Sequence, residues 1–410
     1  MTPSEARLES LCLRGLIRHL GGGERSPYGG STDMLREADL DALRMWWALS
    51  GPVGALALRC ATKPREITAS LEDLRREVSG EIPGPPDAAA SALLQATSCD
   101  PAAFVVAEAA STWLSGPNRV LAKTLDSARG ALRAAALHAR GGLFDGLARE
   151  RLSMIDDALR TAPLRDILSS PAGRARIVAH ERRQAAKARA PLYRLTWDCA
   201  SALLRIEALE RESLAALLAS DVLPRLETWR RFEMACLLEI AEALSAAAGV
   251  PCALDASFVA GRPAACVGDI NVWWQRAIRS RPDEELDEGE RMAANLAESL
   301  GIAAGTARAD LTIERQGRIL AIVECKWFGS SSSVPSAILE ACNQLTGYAR
   351  DAAFRQGDNS AAILSRSLIA LADRDDVPLT VGIGPVGCVG LSDLGGTALG
   401  PWAMSVLAVA

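Results

Sequence analysis

The stretch RADLTIERQGRILAIVECK, residues 308–326, decides the fold of the C-terminal half of the chain. Its two strand-like runs are separated by a short Arg-Gln-Gly turn, which is the pattern of a β-hairpin. The second run is almost continuously apolar from Ile319 to Val323, as expected of a strand that is buried on both faces. We therefore predict strands at 308–314 and 318–326, with the second strand in the interior of a sheet.

Three ionisable side chains gather at the open end of this hairpin. Side chains alternate between the faces of a strand, so Glu324 and Lys326 share one face and Cys325 lies on the other. A three-residue turn places Asp310 opposite Ile322, on the face of Glu324 and at a diagonal distance of roughly 7–8 Å. Because a one-residue slip would move Asp310 to the other face, this prediction depends on the register.

Two carboxylates and a lysine at one strand end favour a cation site. The carboxylates repel each other unless a cation lies between them, and such oxygen ligands suit Mg²⁺ or Mn²⁺. A neighbouring lysine can position or deprotonate a metal-bound water, or neutralise charge on a phosphate. The alternative is an exposed strand end with an incidental ion pair, since Glu-x-Lys is a common tripeptide. Only four of the 45 basic residues are lysines, and this scarcity favours a specific role for Lys326.

The flanking helices add three polar residues. Gln344 and Tyr348 share a face of the helix predicted at 335–354, although a surface glutamine beside a half-buried tyrosine would give the same spacing. Glu233 lies on the apolar stripe of a helix predicted at 222–246, where a carboxylate is costly unless it is paired or binds a metal. The alternative is a glutamate that reaches solvent or meets an arginine. The stripe consists of Leu226, Trp229, Leu237, Ile240 and Leu244.

Pattern changes along the chain divide it into three regions. We predict an α/β region of unknown role at 1–115, a helical region at 116–220 and an α/β domain at 221–410. The first region should hold a strand at 53–60, a helix at 67–78 and a strand at 104–106. The last should hold further strands at 266–274 and near 361–364 and 379–383. Its acidic segment DEELDEGE, residues 283–290, is expected to be a solvated loop, with a DNA-mimicking arm as the alternative.

A basic segment lies near the end of the helical region. Residues 173–194, GRARIVAHERRQAAKARAPLYR, contain seven basic residues and one acid, Glu181. The simpler interpretation is a solvated helix face, and the alternative is a surface that contacts phosphates. The candidate nucleic-acid contacts are Arg174, Arg176, Arg182, Arg183, Lys187 and Arg189, followed by Arg194.

Composition excludes several classes of function. Apolar residues make up 49% of the chain but aromatic residues only 4%, which favours close-packed helices. No lysine lies in a P-loop motif, so we expect no ATP hydrolysis by this chain alone. Three histidines are too few for most multi-histidine metal sites. The net charge of −5 gives no overall basic footprint, although a site can still be locally positive.

The remaining signals concern the compartment and a glycine motif. Ten scattered cysteines without a Cys-x-x-Cys pair, no signal-like start and no long apolar run predict a cytoplasmic protein with no membrane segment. The G-x-G-x-x-G pattern at 382–387 is interrupted by Pro385 and followed by a strand-like run. A hairpin turn is expected there rather than a dinucleotide site.

These motifs resemble the PD-(D/E)XK nuclease superfamily, whose core has the order α-β-β-β-α-β. Residues 308–310 match the PD element with Ala309 in place of proline, and residues 324–326 match the (D/E)XK element. Gln344 and Tyr348 match the QxxxY element of the RecB-like branch. Glu233 matches the acid that many members carry on the first core helix. Upstream, GPNRVLAKTL at 116–125 and WRRFEMACLLEIAEAL at 229–244 are similar to motifs of McrC-like restriction proteins, although Gly116 and Pro117 depart from them.

The resemblance implies an α+β chain with helical N-terminal and middle regions and a C-terminal nuclease core around a mixed sheet. It implies a DNA endonuclease that uses Mg²⁺ or Mn²⁺, held by Asp310, Glu324, the backbone carbonyl of Cys325 and Glu233. Lys326 would orient the attacking water. Gln344 and Tyr348 would position the helix and a DNA phosphate.

The resemblance also implies a biological setting, a restriction or anti-phage defence system. A separate nucleotide-hydrolysing motor or another defence subunit is the expected partner, and a homo-oligomer is compatible with it. Two alternatives stay open. One is a nuclease-fold scaffold or DNA-binding subunit with weak or no activity, and the other is a helical interaction protein whose C-terminal motif is coincidental.

Overall fold

The structure, a computed structural model, describes residues 2–20, 37–82, 84–138, 144–255, 258, 261–278, 281–299, 308–327, 333–372 and 386–408. The fold is α+β, 64% helical, with a seven-stranded mixed sheet in the C-terminal half. The chain forms two units that interleave in sequence. Unit 1 comprises Met1–Ser50, Ala134–Ala148 and Arg205–Ala410, and unit 2 comprises Gly51–Arg133 and Arg149–Leu204.

The helices and strands have the following bounds. The helices are α1 Pro3–Leu20, α2 Glu37–Leu49, α3 Gly51–Thr62, α4 Ala88–Ser98, α5 Gly116–His138, α6 Asp145–Leu159, α7 Ala162–Ser169, α8 Pro171–Arg174, α9 Ala179–Lys187, α10 Pro191–Glu207, α11 Arg211–Leu217, α12 Thr228–Ala248, α13 Glu288–Ser299, α14 Val334–Gln356, α15 Ser360–Leu364 and α16 Leu399–Leu407. The strands are β1 Ser70–Ser79, β2 Ala103–Thr112, β3 Cys252–Leu254, β4 Ala265–Val267, β5 Ile270–Ala277, β6 Arg308–Arg315, β7 Arg318–Lys326, β8 Leu368–Leu371 and β9 Gly387–Gly390.

The large sheet of unit 1 follows the order of the chain from β3 to β9. Neighbours are antiparallel from β3 to β7, and β7, β8 and β9 are parallel to one another. The apolar run of β7 therefore lies in the interior of the sheet, as predicted, between an antiparallel and a parallel neighbour. Helix α14 supplies the connection between β7 and β8 that parallel strands require.

The β6–β7 hairpin confirms both predicted strands, but its turn is shorter than predicted. Arg315 pairs with Arg318, so the turn contains only Gln316 and Gly317. Both turn residues have positive φ, +50° and +85° respectively, as a two-residue type I′ turn requires. This turn fits the right-handed twist of the strands better than the three-residue turn expected from the sequence.

A β-bulge on β7 adds a second departure from the predicted register. Glu314 pairs with Ile319, whereas Ile313 pairs with Ala321, so Leu320 is the extra residue on its strand. The shorter turn and the bulge each move the pairing by one residue. Together they move it by two, which restores the alternation of side chains between the faces.

The corrected register brings Asp310 and Glu324 together. The described ladder ends with Leu311 opposite Val323, and continuing it by one residue places Asp310 opposite Glu324. The predicted pairing of Asp310 with Ile322 was therefore wrong, and the two carboxylates are directly opposite rather than diagonal. The predicted shared face is retained because the error was an even number of residues.

Several predicted elements differ in kind. Residues 53–60 form helix rather than strand, because the buried Val53, Leu56, Ala57 and Cys60 have helical spacing and an apolar run alone does not separate the two. Residues 70–79 form strand rather than helix, because they pair with Ala103–Thr112 along ten residues. The strand predicted near 361–364 is helix α15, whose start is capped by the Asn359 side chain.

Other boundaries also moved. The strand predicted at 266–274 is divided between β4 and β5 by a turn at Gly268, whose φ is +59°. Helix α12 begins at Thr228 rather than 222, and Trp229 of the predicted stripe is 41% exposed. The strand predicted near 379–383, the pattern at 382–387 except for its last two residues, and the whole glycine-rich stretch at 21–32 lie outside the described residues.

The acidic segment at 283–290 is not a simple solvated loop. Asp287 accepts a hydrogen bond from the backbone amide of Glu290, and Glu290 accepts one from the amide of Asp287, both at 2.9 Å, so the pair caps helix α13. Arg350 of α14 pairs with both acids. Arg281 joins Glu290 to Asp351 of α14. The acids therefore tie the start of α13 to α14.

The core of unit 1 around the sheet end comes from α14 and its neighbours. Ile322 and Ala309 pack in one buried cluster with Leu345 and Ala349 of α14. Helix α12 buries its own apolar side chains, among them Phe232 and Leu237. These two helices position their polar residues against the strand ends described below.

In unit 2 a buried asparagine organises the start of α5. Asn118 donates hydrogen bonds to the carbonyl oxygens of Thr68 and Trp113 at 2.9 and 3.1 Å. The Tyr193 hydroxyl donates to Asn118 Oδ1 at 2.6 Å and accepts from the Thr68 amide at 3.0 Å. These bonds join α5, α10 and the segment that leads into β1.

Among the described residues, no helix combines the length and the apolar character needed to cross a membrane.

Candidate active site

The predicted nuclease residues converge at one end of the β6–β7 hairpin. Extending the ladder places Asp310 opposite Glu324, and the Asp310 Oδ2 accepts a hydrogen bond of 2.8 Å from the amide of Cys325. Glu324 is almost fully buried, with 3% of its surface exposed. The Lys326 ammonium lies 3.2 Å from Glu324 Oε1. The three residues thus form one contiguous polar group.

Helix α12 brings Glu233 to the same group. Glu233 is only 4% exposed, although it is charged in ordinary solution. Its Oε2 accepts hydrogen bonds from the Trp274 indole at 2.6 Å and from the Gln275 amide at 2.8 Å. The sequence predicted that a buried glutamate would need a partner. In the structure two neutral donors on β5 bind Glu233, and no arginine forms a hydrogen bond with it among the described residues.

Gln275 is a site residue that the sequence analysis missed. Its Nε2 donates to Glu233 Oε2 and also, at 3.2 Å, to Asp310 Oδ1, so that one amide bridges two carboxylates. The φ of Gln275 is +54°. The neighbouring residues on β5 pair with β6, as Trp274–Leu311 and Arg276–Ala309, whereas Gln275 itself has no described ladder pair. Positive φ at a residue other than glycine is costly and is common at functional sites. A polar residue after two tryptophans was the only signal in the sequence.

Burial and mutual repulsion disturb the ionisation of these acids. Burial, reinforced by the charge of Asp310, raises the pKa of Glu233 to about 8. The same two causes raise the pKa of Glu324 to about 8 despite the neighbouring Lys326. Burial also raises the pKa of Asp310, although the Cys325 amide and Lys326 oppose the shift. Each of the three carboxyls is therefore harder to ionise than a free carboxyl, and a bound cation would favour their ionised forms.

Lys326 is held by residues from both β7 and α14. Its ammonium donates to Glu340 Oε1 at 3.0 Å and to the Gln344 side-chain oxygen. Burial lowers the pKa of Lys326, but the contacts with Glu340 and Glu324 outweigh burial, so its pKa lies above the usual value. Gln344, predicted as a supporting residue, thus contacts the lysine directly. Glu340 was not predicted, and its 63% exposed side chain reaches the site from solvent.

Tyr348 and Cys325 have mainly structural contacts. The Tyr348 hydroxyl donates to the carbonyl oxygen of Arg308 at 3.1 Å, which fastens α14 to the start of β6. Burial raises the pKa of the Tyr348 phenol. A hydrogen bond with the Cys236 thiol, together with burial, raises the pKa of the Cys325 thiol. Of the Cys325 backbone, the amide is committed to Asp310, and the predicted role of its carbonyl oxygen stays a prediction.

The donor set fits a hard divalent cation with few protein ligands. Within the described ranges, no three His, Cys, Asp or Glu side chains form a preassembled metal cage. Mg²⁺ does not need one, because it keeps several waters and binds through one or two carboxylates plus substrate phosphate. The Glu324 Oε2 is buried without a hydrogen-bond partner, which is costly unless a cation is bound there. Asp310 and Glu324 are the residues that could hold it.

The predicted nucleic-acid contacts of residues 174–189 lie in unit 2, apart from this group in sequence. Arg182 is half-buried, and the side chains of Arg174, Arg176, Arg183, Lys187 and Arg189 are exposed. The only acid among them, Glu181, is buried and pairs with Arg119.

No protein-family model matches the chain, and no curated protein matches it in sequence. The function proposed below therefore rests on the geometry of the site and on the motifs it contains.

The raised pKa of Glu233 leads to a prediction for stability against pH. A carboxyl whose pKa is higher in the folded than in the unfolded state stabilises the fold below about pH 4.5 and loses that contribution as pH rises through about 8. We expect Glu233→Gln, which keeps an acceptor for Trp274 and Gln275, to raise the free energy of unfolding at pH 8.5 by about 1–3 kcal/mol.

Urea unfolding of the metal-free chain at pH 5 and pH 8.5 measures this effect. At pH 5 the variant and the wild type should differ by less than about 1 kcal/mol. Glu242→Gln is the matched control on the same helix, since Glu242 forms an exposed pair with Arg18. An equal change in the control, or no gain for Glu233→Gln at pH 8.5, would show that Glu233 carries no burial cost.

Proposed function

We propose that the chain is a metal-dependent nuclease of the PD-(D/E)XK type that hydrolyses phosphodiester bonds in DNA. The observation that carries this proposal is that Asp310, Glu324 and Lys326 meet at one end of two paired strands, where Asp310 accepts from the Cys325 amide and Lys326 pairs with Glu324. Two adjacent carboxylates can share a cation, and a lysine beside them can serve a phosphate or a water. An incidental exposed ion pair would not bury Glu324 to 3% exposure.

The order of elements supports the same proposal. Helix α12 precedes the antiparallel strands β5, β6 and β7, which are followed by α14 and the parallel strand β8. With β3, β4, α13 and α15 set aside as additional elements, these six follow the α-β-β-β-α-β order that the resemblance implies. Each predicted polar residue comes from the element of that order on which the motif places it.

The residues of the chain have distinct roles in the proposed reaction. Asp310 and Glu324 hold the cation, and a bound Mg²⁺ or Mn²⁺ supplies Lewis-acid activation and neutralises negative charge. Lys326 orients the attacking water and stabilises charge that develops on the phosphate oxygens. Gln344 and Glu340 hold the ammonium in place. Gln275 of β5 positions Asp310 by bridging it to Glu233 of α12.

We also propose that the chain works with a partner that hydrolyses nucleotides, in a restriction or anti-phage system. The support is that the chain carries no P-loop motif, while the upstream segments are similar to McrC-like proteins. The alternative is a scaffold subunit that keeps the nuclease fold without activity. The hydrogen bonds of Gln275 to both Glu233 and Asp310 are the observation that favours this alternative, since a neutral amide there replaces part of a cation's role.

Plasmid cleavage separates the two. Supercoiled plasmid incubated with the chain and Mg²⁺ or Mn²⁺ should be converted to nicked and linear forms, and EDTA should stop the conversion. The test is run with the chain alone and with any nucleotide-hydrolysing protein that is encoded beside its gene. If neither combination cleaves, the chain is a scaffold and the catalytic proposal is wrong.

A further inference from the structure

Seven basic side chains of unit 2 have no ionic partner within the described part of the chain. We call them the basic segment: Arg174, Arg176, Arg182, Arg183, Lys187, Arg189 and Arg194. None of them forms a hydrogen bond or ion pair through its side chain with any described residue. All are exposed except Arg182, which is half-buried.

The chain is acidic overall, and many of its arginines elsewhere have an acidic partner. At least sixteen arginines elsewhere form ion pairs with aspartate or glutamate. Arg160 and Arg165, on the same unit, pair with Asp157 and Asp166 although they are strongly exposed. Exposure alone therefore does not explain why the basic segment is left without acids.

The fold buries Glu181, the one acid within residues 173–194. Glu181 is 5% exposed, pairs with Arg119 of α5 and accepts a hydrogen bond of 2.9 Å from the Val178 amide. Arg119 also donates to the carbonyl oxygen of Ala175 at 3.1 Å. A Cβ at Gly116 would lie 3.0 Å from the Glu181 Cα, so the glycine permits α9 to approach the start of α5. Glu181 therefore pairs with a residue of the interior, and the exposed basic side chains of the segment keep their positive charge.

The chemistry of the outer face selects the kind of partner. On α9, Arg183 and Lys187 are four residues apart and lie on the face opposite the buried Glu181 and Ala185. The helix contains no leucine, isoleucine, phenylalanine or tryptophan that could enter a membrane. Several unpaired cations without apolar anchors are the footprint of a phosphate-backbone contact.

We propose that the basic segment of unit 2 is a binding surface for the phosphate backbone of duplex DNA, outside the candidate active site. The choice of DNA rests on the proposed function, whereas the preference for a polyanion rests on the unpaired cations alone. Contacts of this kind add affinity without reading sequence and release counterions, so binding weakens as salt is raised.

The test is DNA binding by the full chain in EDTA, where cleavage does not interfere. Fluorescence anisotropy of a labelled 30-base-pair duplex at 50–300 mM NaCl gives the slope of log K against log salt concentration. Removal of two phosphate contacts by Arg183→Ala/Lys187→Ala should reduce the magnitude of that slope by about 1.8 and weaken binding by roughly 10-fold at 100 mM salt.

Arg160→Ala/Arg165→Ala is the matched control, since it removes two exposed arginines that already have acidic partners. It should leave the slope within about 0.5 of the wild type. An unchanged slope in the basic-segment variant, or an equal loss in the control, overturns the proposal. A basic-segment variant that binds DNA like the wild type but loses binding to phosphatidylglycerol vesicles also overturns the proposal. Because no cleavage is measured, an inactive chain that binds with the expected slope supports this inference and contradicts only the catalytic proposal.

Discussion

Lys326→Ala should abolish cleavage while leaving the fold intact. The lysine contacts Glu324 at 3.2 Å and is the only lysine among the residues assigned to the site. A positioned donor or acid–base group of this kind contributes on the order of 10²–10⁴-fold to a rate. We therefore expect the rate of plasmid cleavage in Mg²⁺ to fall by at least about 100-fold. Circular dichroism and a cooperative thermal transition should match those of the wild type.

Two further variants define what the position requires. Lys63→Ala, at an exposed lysine, should cleave at the wild-type rate. Lys326→Arg should stay at least about 10-fold slow, because a planar guanidinium does not fit the space of a compact ammonium held by Gln344 and Glu340. If Lys326→Ala cleaves normally, the lysine has no part in the chemistry and the site is assigned wrongly.

Asp310→Asn should cause a comparable loss of cleavage without a loss of stability. The substitution keeps an oxygen that can accept the 2.8 Å hydrogen bond from the Cys325 amide, but removes the negative charge. Since burial raises the pKa of Asp310 and its charge also disfavours the ionised forms of Glu233 and Glu324, the neutral variant relieves that repulsion. We expect cleavage to fall by on the order of 10²–10⁴-fold and the free energy of unfolding at pH 8 to rise.

Asp269→Asn serves as the control, because Asp269 lies on the turn between β4 and β5 and forms an exposed pair with Arg315. It should cleave normally. If the Asp310→Asn variant cleaves as well as the wild type, this carboxylate is excluded as a metal ligand. A large fall in the stability of the Asp310→Asn variant would instead show that the negative charge of Asp310 stabilises the fold. The raised pKa of Asp310 predicts the opposite.

The hairpin could be predicted from sequence because its signals are local. The apolar run of β7 and the Arg-Gln-Gly turn identify two strands without reference to the remainder of the chain. The exact pairing could not be predicted, because the positive φ of Gln316 and the bulge at Leu320 are properties of the folded backbone. The face of Asp310 was predicted correctly only because the two one-residue departures add up to an even number of residues.

Elements that depend on distant partners were the ones predicted wrongly. Strand β1 is rich in charged residues and becomes a strand because β2 pairs with all ten of its residues. Gln275 could not be identified as a site residue, because its contacts with Glu233 and Asp310 join three separate elements. Local pattern therefore located the ionisable residues of the site, whereas tertiary pairing determined how they contact one another.

The central claim is that Asp310 and Glu324 share one divalent cation, and Mn²⁺ binding followed by electron paramagnetic resonance tests it most directly. The wild-type chain should bind one Mn²⁺ with an affinity that Asp310→Asn and Glu324→Gln each weaken by at least about 10-fold. Lys326→Ala should retain that affinity, because the lysine is not a ligand. Equal Mn²⁺ binding by the wild type and both carboxylate variants, or no binding by the wild type, would contradict the account.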